Sequence, residues 1–240
     1  MEKILSDLRQ MRLPGMAQTW QRLMEAHKTE SITLVDGMRL LLQGQNDMRR
    51  ANRTQRMIKN AKFRYTATMA DLAADSSRGI EQSRLDEVAT CAFIERGYPV
   101  IITGPTGTGK SWLATAIGHH ACLSGYKVRY FNVMKLFEEL TMSRVESRLP
   151  RMFERLAQTD LIILDDFGIK KLTAEQVLDL MELIEDRHGR RATVFVSQVP
   201  VADWYETLDT NTTAADAILD RIIHTAIRFE LSGDSLRKNH

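Results

Sequence analysis

The chain has only two cysteines in 240 residues, Cys91 and Cys122. They stand far apart in predicted helices and form no C-x-x-C pair, which argues against a disulfide framework and for a reducing, cytoplasmic setting. No apolar run is long enough to span a bilayer. The first residues, Met1-Glu2-Lys3-Ile4-Leu5-Ser6-Asp7, mix charges and lack the apolar core of an export signal. A membrane partner is therefore not expected. The six histidines show no metal-ligand spacing. His119 and His120 are adjacent, so they face different sides of a helix and read as structural or surface residues. There is no internal repeat and no low-complexity tract.

Acidic residues are missing from one long stretch. The whole chain is nearly balanced at +2, with 33 basic and 31 acidic residues. Residues 1–80, however, hold 14 Lys/Arg against 8 Asp/Glu, a net +6, which leaves the remainder at a net −4. No acid lies between Asp47 and Asp71, and seven cations do: Arg49, Arg50, Arg53, Arg56, Lys59, Lys62 and Arg64. Arg49, Arg53 and Arg56 share one helical face. Such a run fits phosphate contact with nucleic acid through charge rather than base reading.

Residues 1–64 read as a small helical domain. Ile4, Leu5 and Leu8 make a first apolar face, broken at Leu13-Pro14-Gly15. Met16, Trp20, Leu23 and Met24 then recur at helical spacing. Thr33-Leu34-Val35-Asp36 resembles a capping box that opens a third helix, the one that becomes basic. Residues 65–82 are poor in apolar periodicity and read as a linker. A nucleotide domain is expected over 83–240.

That domain is organised around Val100-Ile101-Ile102-Thr103-Gly104-Pro105-Thr106-Gly107-Thr108-Gly109-Lys110-Ser111. The pattern G-x-x-x-x-G-K-[ST] follows a short apolar strand and opens a helix, Trp112 to Ile117, which is the context a phosphate-binding loop requires. Glycines let successive backbone N–H groups converge on one concavity. Lys110 brings a point charge to the outer phosphates, Ser111 a hydroxyl for Mg²⁺, and the helix its positive end. The candidate ATP-binding residues are Gly104, Pro105, Thr106, Gly107, Thr108, Gly109, Lys110, Ser111 and Trp112.

A second motif is Leu161-Ile162-Ile163-Leu164-Asp165-Asp166. Four apolar residues before two acids signal a buried parallel strand that delivers carboxylates to the sheet edge where phosphates sit. Asp165 would hold Mg²⁺ through water, and Asp166 would orient or activate the attacking water. Thr193-Val194-Phe195-Val196-Ser197 is a further strand, and Gln198 at its end can reach the terminal phosphate. Arg144, Arg148 and Arg151 surround Leu149-Pro150. This basic bend is equally readable as a DNA-contacting loop or as an ordinary surface turn.

Taken together these residues resemble a known family. The phosphate loop, Asp165-Asp166, Ser197-Gln198, Ala217-Ile218-Leu219-Asp220-Arg221-Ile222-Ile223-His224 and Gly233-Asp234-Ser235-Leu236-Arg237 are similar to the IstB/DnaC-like branch of the AAA+ ATPases. Leu13-Pro14-Gly15-Met16-Ala17 matches the IstB side. The resemblance implies an α/β P-loop NTPase of the AAA+ type. Its five-stranded parallel sheet would run in the order 5-1-4-3-2, with helices on both faces, a small helical domain in front and no separate helical lid.

It further implies an ATP-dependent transposition helper that assembles as a homo-oligomer on double-stranded DNA. Its partner would be a DDE transposase (IstA-like). The same core would also serve a DnaC-like replicative helicase loader. Gln198 takes the sensor-one position. By the same resemblance Arg221 looks like the arginine finger, supplied in trans to a neighbour's ATP, and Arg237 looks like a sensor-two arginine. Asp166 stands where AAA+ proteins commonly carry glutamate, and the shorter side chain implies slow basal hydrolysis.

Overall fold

The computed structural model describes residues 2–26 and 32–236. Two compact units are present, Met1–Arg56 and Met57–His240. The division falls inside the third helix, eight residues before the expected end of the helical domain at residue 64.

The first unit holds α1 (Glu2–Gln10), α2 (Pro14–Glu25) and most of α3 (Leu34–Ala61). Pro14 sits in the first turn of α2, where its missing N–H costs nothing. The next two orphan donors, the N–H groups of Gly15 and Met16, reach the Gln45 side-chain oxygen on α3 at 2.9 and 3.2 Å. Gly15 is obligatory for this contact, because a Cβ there would lie 2.5 Å from the Gly44 carbonyl oxygen. Thr33 and Asp36 form the expected hydrogen bonds at the start of α3.

The second unit is a five-stranded sheet in the order β2-β3-β4-β1-β5, with every strand pair parallel. The strands are β1 (Val100–Thr103), β2 (Val128–Asn132), β3 (Leu161–Phe167), β4 (Ala192–Ser197) and β5 (Ile227–Glu230). Read from the other edge, this is the order 5-1-4-3-2. The central strands are buried almost end to end and mostly apolar, because both faces are covered. Ile162, Leu164 and Phe195 face one core, while Ile163, Val194 and Val196 face the other. The first core is closed by α7 (Val133–Val145), α8 (Leu149–Ala157), α9 (Ala174–Arg187), α10 (Trp204–Leu208) and α11 (Thr212–Ile223). The second is closed by α4 (Gln82–Ala89), α5 (Ala92–Arg96) and α6 (Lys110–Leu123).

Two expectations change. Ser83-Arg84-Leu85-Asp86 reads in sequence as a cap-like start of one helix running to Arg96, but the segment is two helices, divided at Cys91, which takes a left-handed conformation at φ 58°. Residues 65–82 do not form a free linker. Ala67 is buried, and Met69, Leu72 and Ile80 pack on the second core. The Arg78 carbonyl accepts a hydrogen bond from the Ser232 N–H at 3.1 Å. These contacts come from single turns, which leave no periodic signature in sequence.

Arg187, at the end of α9, is 1% exposed. Its guanidinium donates to the carbonyls of Leu156 (2.6 Å) and Thr159 (2.7 Å), to that of Ala192, and from Nε to Thr193 Oγ1 (3.1 Å). It ties the loop before β3 to the start of β4, and burial lowers its pKa to about 9.

Candidate functional site

Strand β1 ends at the phosphate loop. Gly104, Gly107 and Gly109 all take positive φ, at 144°, 88° and 97°. Gly104 also has no room for a side chain, since a Cβ would lie 2.2 Å from the Leu231 carbonyl oxygen just beyond β5. The segment after β5 follows the loop closely, and the Leu236 N–H donates to the Gly107 carbonyl at 3.0 Å. Lys110 Nζ and Thr108 Oγ1 both donate to the Pro105 carbonyl, at 2.7 and 2.9 Å. Lys110 is buried at the first turn of α6, whose 14 residues give it a full helix dipole.

The acid pair lies opposite. Asp165 is 1% exposed, and its Oδ1 accepts from Ser111 Oγ at 3.1 Å. Its Oδ2 accepts from the Tyr130 hydroxyl. Burial, reinforced by the Asp165 charge, pushes the Tyr130 phenol above its ordinary value, so it remains a proton donor at neutral pH. Asp166 Oδ2 accepts from Asn132 Nδ2 at 2.7 Å. Tyr130 and Asn132 come from the neighbouring strand β2, in whose register Asn132 stands directly beside Asp165. Both were missed in sequence, because neither carries a charge or a motif.

Asp166 has an unusual backbone. Strand β3 pairs Leu164 with Phe195 and then Phe167 with Ser197, so it carries one extra residue. This bulge puts Asp166 at φ 62°, a left-handed conformation that Asp and Asn tolerate better than longer or branched residues. The bulge lets two adjacent residues serve one site, which a regular strand would point to opposite faces.

A cavity of about 690 Å³ is lined by Thr106, Gly107, Gly109, Lys110, Ser111, Trp112, Asp165, Asp166 and Gln198, and also by Arg64, Tyr65 and Leu236. Gln198 accepts a hydrogen bond from Thr106, joining the end of β4 to the phosphate loop. Trp112 and Tyr65 form an aromatic wall, with ring centroids 6.1 Å apart. The donors fit a Mg²⁺–nucleotide. Ser111 Oγ and the Asp165 carboxylate are hard oxygen ligands, and the glycine turn, Lys110 and the α6 N-terminus suit a polyphosphate.

Other expected site residues lie elsewhere. Arg221, on α11, pairs with Glu185 of α9 at 2.6 Å and donates to the Ala217 carbonyl at 2.9 Å. It does not line this cavity. Arg237 lies outside the described residues. Arg49, Arg50, Arg53, Arg56 and Lys59 are exposed along α3, and Lys62 is exposed just beyond it. Two arginines of the basic bend have acidic partners within the chain. Arg144 is clamped between Glu175 and Asp179 of α9, and Arg148 pairs with Glu146. Arg144 is thus a packing bridge between α7 and α9, whereas the Arg148 side chain is 62% exposed and shares only a surface ion pair.

Sheet order, phosphate loop and acid pair define a P-loop nucleotide-binding protein of the AAA+ type. The family model described as IstB-like ATP binding protein matches residues 6–240, so the chain belongs to the IstB-like ATP-binding proteins. An insertion sequence ATP-binding protein of Sinorhizobium fredii is 38% identical over 235 residues, covering 98% of this chain and 96% of that one. An ATP-binding protein of an insertion sequence from Pseudomonas fluorescens is 34% identical over 197 residues, covering 82% and 85%. Among solved structures, the crystal structure of the DnaC helicase loader superposes with a TM-score of 0.57 at 17% identity. It spans 72% of this chain and all of that chain, which establishes a shared fold.

Proposed function

We propose that the chain is a DNA-binding ATPase that helps transposition. It assembles with ATP as a homo-oligomer on target duplex DNA, recruits or activates a DDE transposase, and uses hydrolysis to leave. The observation that carries this is one chain holding both an acid pair beside a phosphate loop and a run of seven cations uninterrupted by acid. No helix among the described residues is long and apolar enough to cross a membrane, in keeping with work on DNA in the cytoplasm.

The roles follow from the chemistry of each group. Mg²⁺–ATP, when bound, supplies a polarised terminal phosphoryl group. Lys110 binds the outer phosphates, and Ser111 and Asp165 hold the metal ion. Asp166 accepts a proton from water, oriented by Asn132, and Gln198 contacts the terminal phosphate from the end of β4. Arg221 acts on the ATP of a neighbouring subunit, where its charge offsets charge developing in the transition state. Its replacement by alanine should spare ATP binding and abolish hydrolysis.

The test is the size of the protein on long duplex DNA in ATP and in ADP. Large complexes in ATP that dissolve in ADP are expected. A small species in both nucleotides would replace this function with that of a helicase loader, which assembles on a protein partner.

A further inference from the structure

Arg64, the last cation of the run, ends at the nucleotide site. Helix α3 stops at Ala61, which is fully buried, and Lys62 turns the chain with φ 57°. Arg129 Nη1 caps the helix end at the Asn60 carbonyl, 3.3 Å away. Phe63 then packs edge-on against Tyr130, with centroids 6.4 Å apart at 79°. It does so over Gly118 of α6, where a Cβ would fall 2.7 Å from the Phe63 ring. The next residue is thereby set beside the acids. Arg64 Nη1 lies 3.7 Å from Asp165 Oδ2 and 3.6 Å from Asp166 Oδ2, and its guanidinium stands 5.4 Å from the Tyr65 ring centre.

Two features of this contact matter. Both distances are ion-pair distances beyond hydrogen-bond range, and the Arg64 side chain is 49% exposed. Charge rather than fitted geometry holds it, and it can swing into solvent at little cost. Asp165 is also the carboxylate that fits a divalent ion with Ser111. A guanidinium within 4 Å of the other oxygen of the same carboxylate repels that ion strongly, so the two cations compete.

We propose that Arg64 is a built-in cation for the Asp165–Asp166 pair, which it gives up to Mg²⁺ when nucleotide binds, so that metal occupancy frees the end of the basic run for DNA. This rests on the site being one for Mg²⁺ and a nucleoside triphosphate. Arg64 is a positioning residue: it screens the acids from incoming phosphates when no metal is there, and releases them to the metal when it is.

The experiment compares wild type with Arg64→Gln, using a fluorescent, non-hydrolysable ATP analogue in Mg²⁺ and in EDTA. Loss of Arg64 leaves the acids facing phosphate unscreened in EDTA and removes the competitor in Mg²⁺. The ratio of Kd in EDTA to Kd in Mg²⁺ should therefore be about tenfold larger in the variant. An unchanged ratio, with an unchanged Tm as the folding control, overturns the proposal. The second readout is duplex DNA affinity against salt, with and without the Mg²⁺-bound analogue. The analogue should steepen the slope of wild type by ~0.9 more than that of the variant, the contribution of one further phosphate contact. Equal changes overturn the link to DNA. A chain that binds nucleotide in neither buffer overturns the parent function, whereas normal Mg²⁺-dependent binding with an unchanged ratio overturns only the role of Arg64.

Discussion

Replacing Arg49, Arg53 and Arg56 together by glutamine tests whether the basic face of α3 lies along a DNA backbone. At 1.5 Å per residue these three span ~10 Å of the helix axis. One DNA strand presents a phosphate every ~3.4 Å of its own axis, so three cations over that length can meet about three phosphates. Each neutralised phosphate adds ~0.9 to the slope of log affinity against log salt, so the triple variant should lose ~2.7 from that slope. Between about 50 and 200 mM salt, that difference is worth roughly 40-fold in how far affinity falls. The assay is fluorescence anisotropy of a labelled duplex across that range, repeated on an unrelated sequence. The loss should be the same on both, because phosphate contacts carry no base information. All three side chains are exposed, so thermal stability should not change. A slope that moves by less than ~1 would refute phosphate contact by this face, and a sequence-dependent loss would show that the helix reads bases.

Arg144→Gln is the counterpart. It leaves Asp179, whose side chain is only 6% exposed, without its cation, at a cost discounted to ~2 kcal/mol for the partial exposure of Arg144. Differential scanning calorimetry should show Tm falling by about 4–8 °C with the DNA salt slope unchanged. Asp166→Asn keeps a residue that tolerates φ 62°. It should bind nucleotide normally while hydrolysis, followed by phosphate release, falls roughly 10²–10⁴-fold. Asp166→Ala should be less stable than Asp166→Asn by ~1 kcal/mol, measured by denaturant unfolding, because alanine gains nothing from the left-handed turn. Burial pushes the Cys122 thiol up to about 12, so it stays protonated across the working range and should resist alkylation at pH 8 until the protein is denatured. Because this pKa is raised on folding, the buried thiol's contribution to stability is whole below the unfolded value and is lost as pH climbs towards 12.

Much of the nucleotide domain was legible because its signals are local. The glycine turn, the lysine and the following helix are contiguous, and strands buried on both faces appear as unbroken apolar runs. Asp165 and Asp166 were legible as a pair, but the device that lets both serve the site was not. The bulge exists only in the register of β3 against β4, and no residue in β3 announces it. Tyr130, Asn132 and Gln45 act through partners about 30 residues away or more, a distance at which a single sequence carries no pairing information. Arg144 shows a second limit. Charge in a sequence gives sign and density but not occupancy, and the acids that occupy this arginine lie over 30 residues further on.

The placement of Arg221 bears on whether an assembly could borrow it. An arginine that serves a neighbour must be held on its own subunit without being locked there. Arg221 meets Glu185 at 2.6 Å, but the Glu185 side chain is 57% exposed, and exposed ion pairs contribute only ~0–1 kcal/mol. Shedding that partner costs far less than a desolvated contact with a triphosphate returns. The contrast with Arg187 sharpens the point. Arg187 is spent on main-chain carbonyls in the interior and cannot leave without orphaning them. Two arginines at the ends of packed helices are thus separated by burial and by partner type, one a fixed tie and one available for transfer. Glu185→Gln should therefore leave the isolated chain folded and lower the protein concentration at which DNA-stimulated phosphate release reaches half its maximum. If the threshold instead rises, Glu185 is part of the subunit contact, and Arg221 is delivered with its partner rather than away from it.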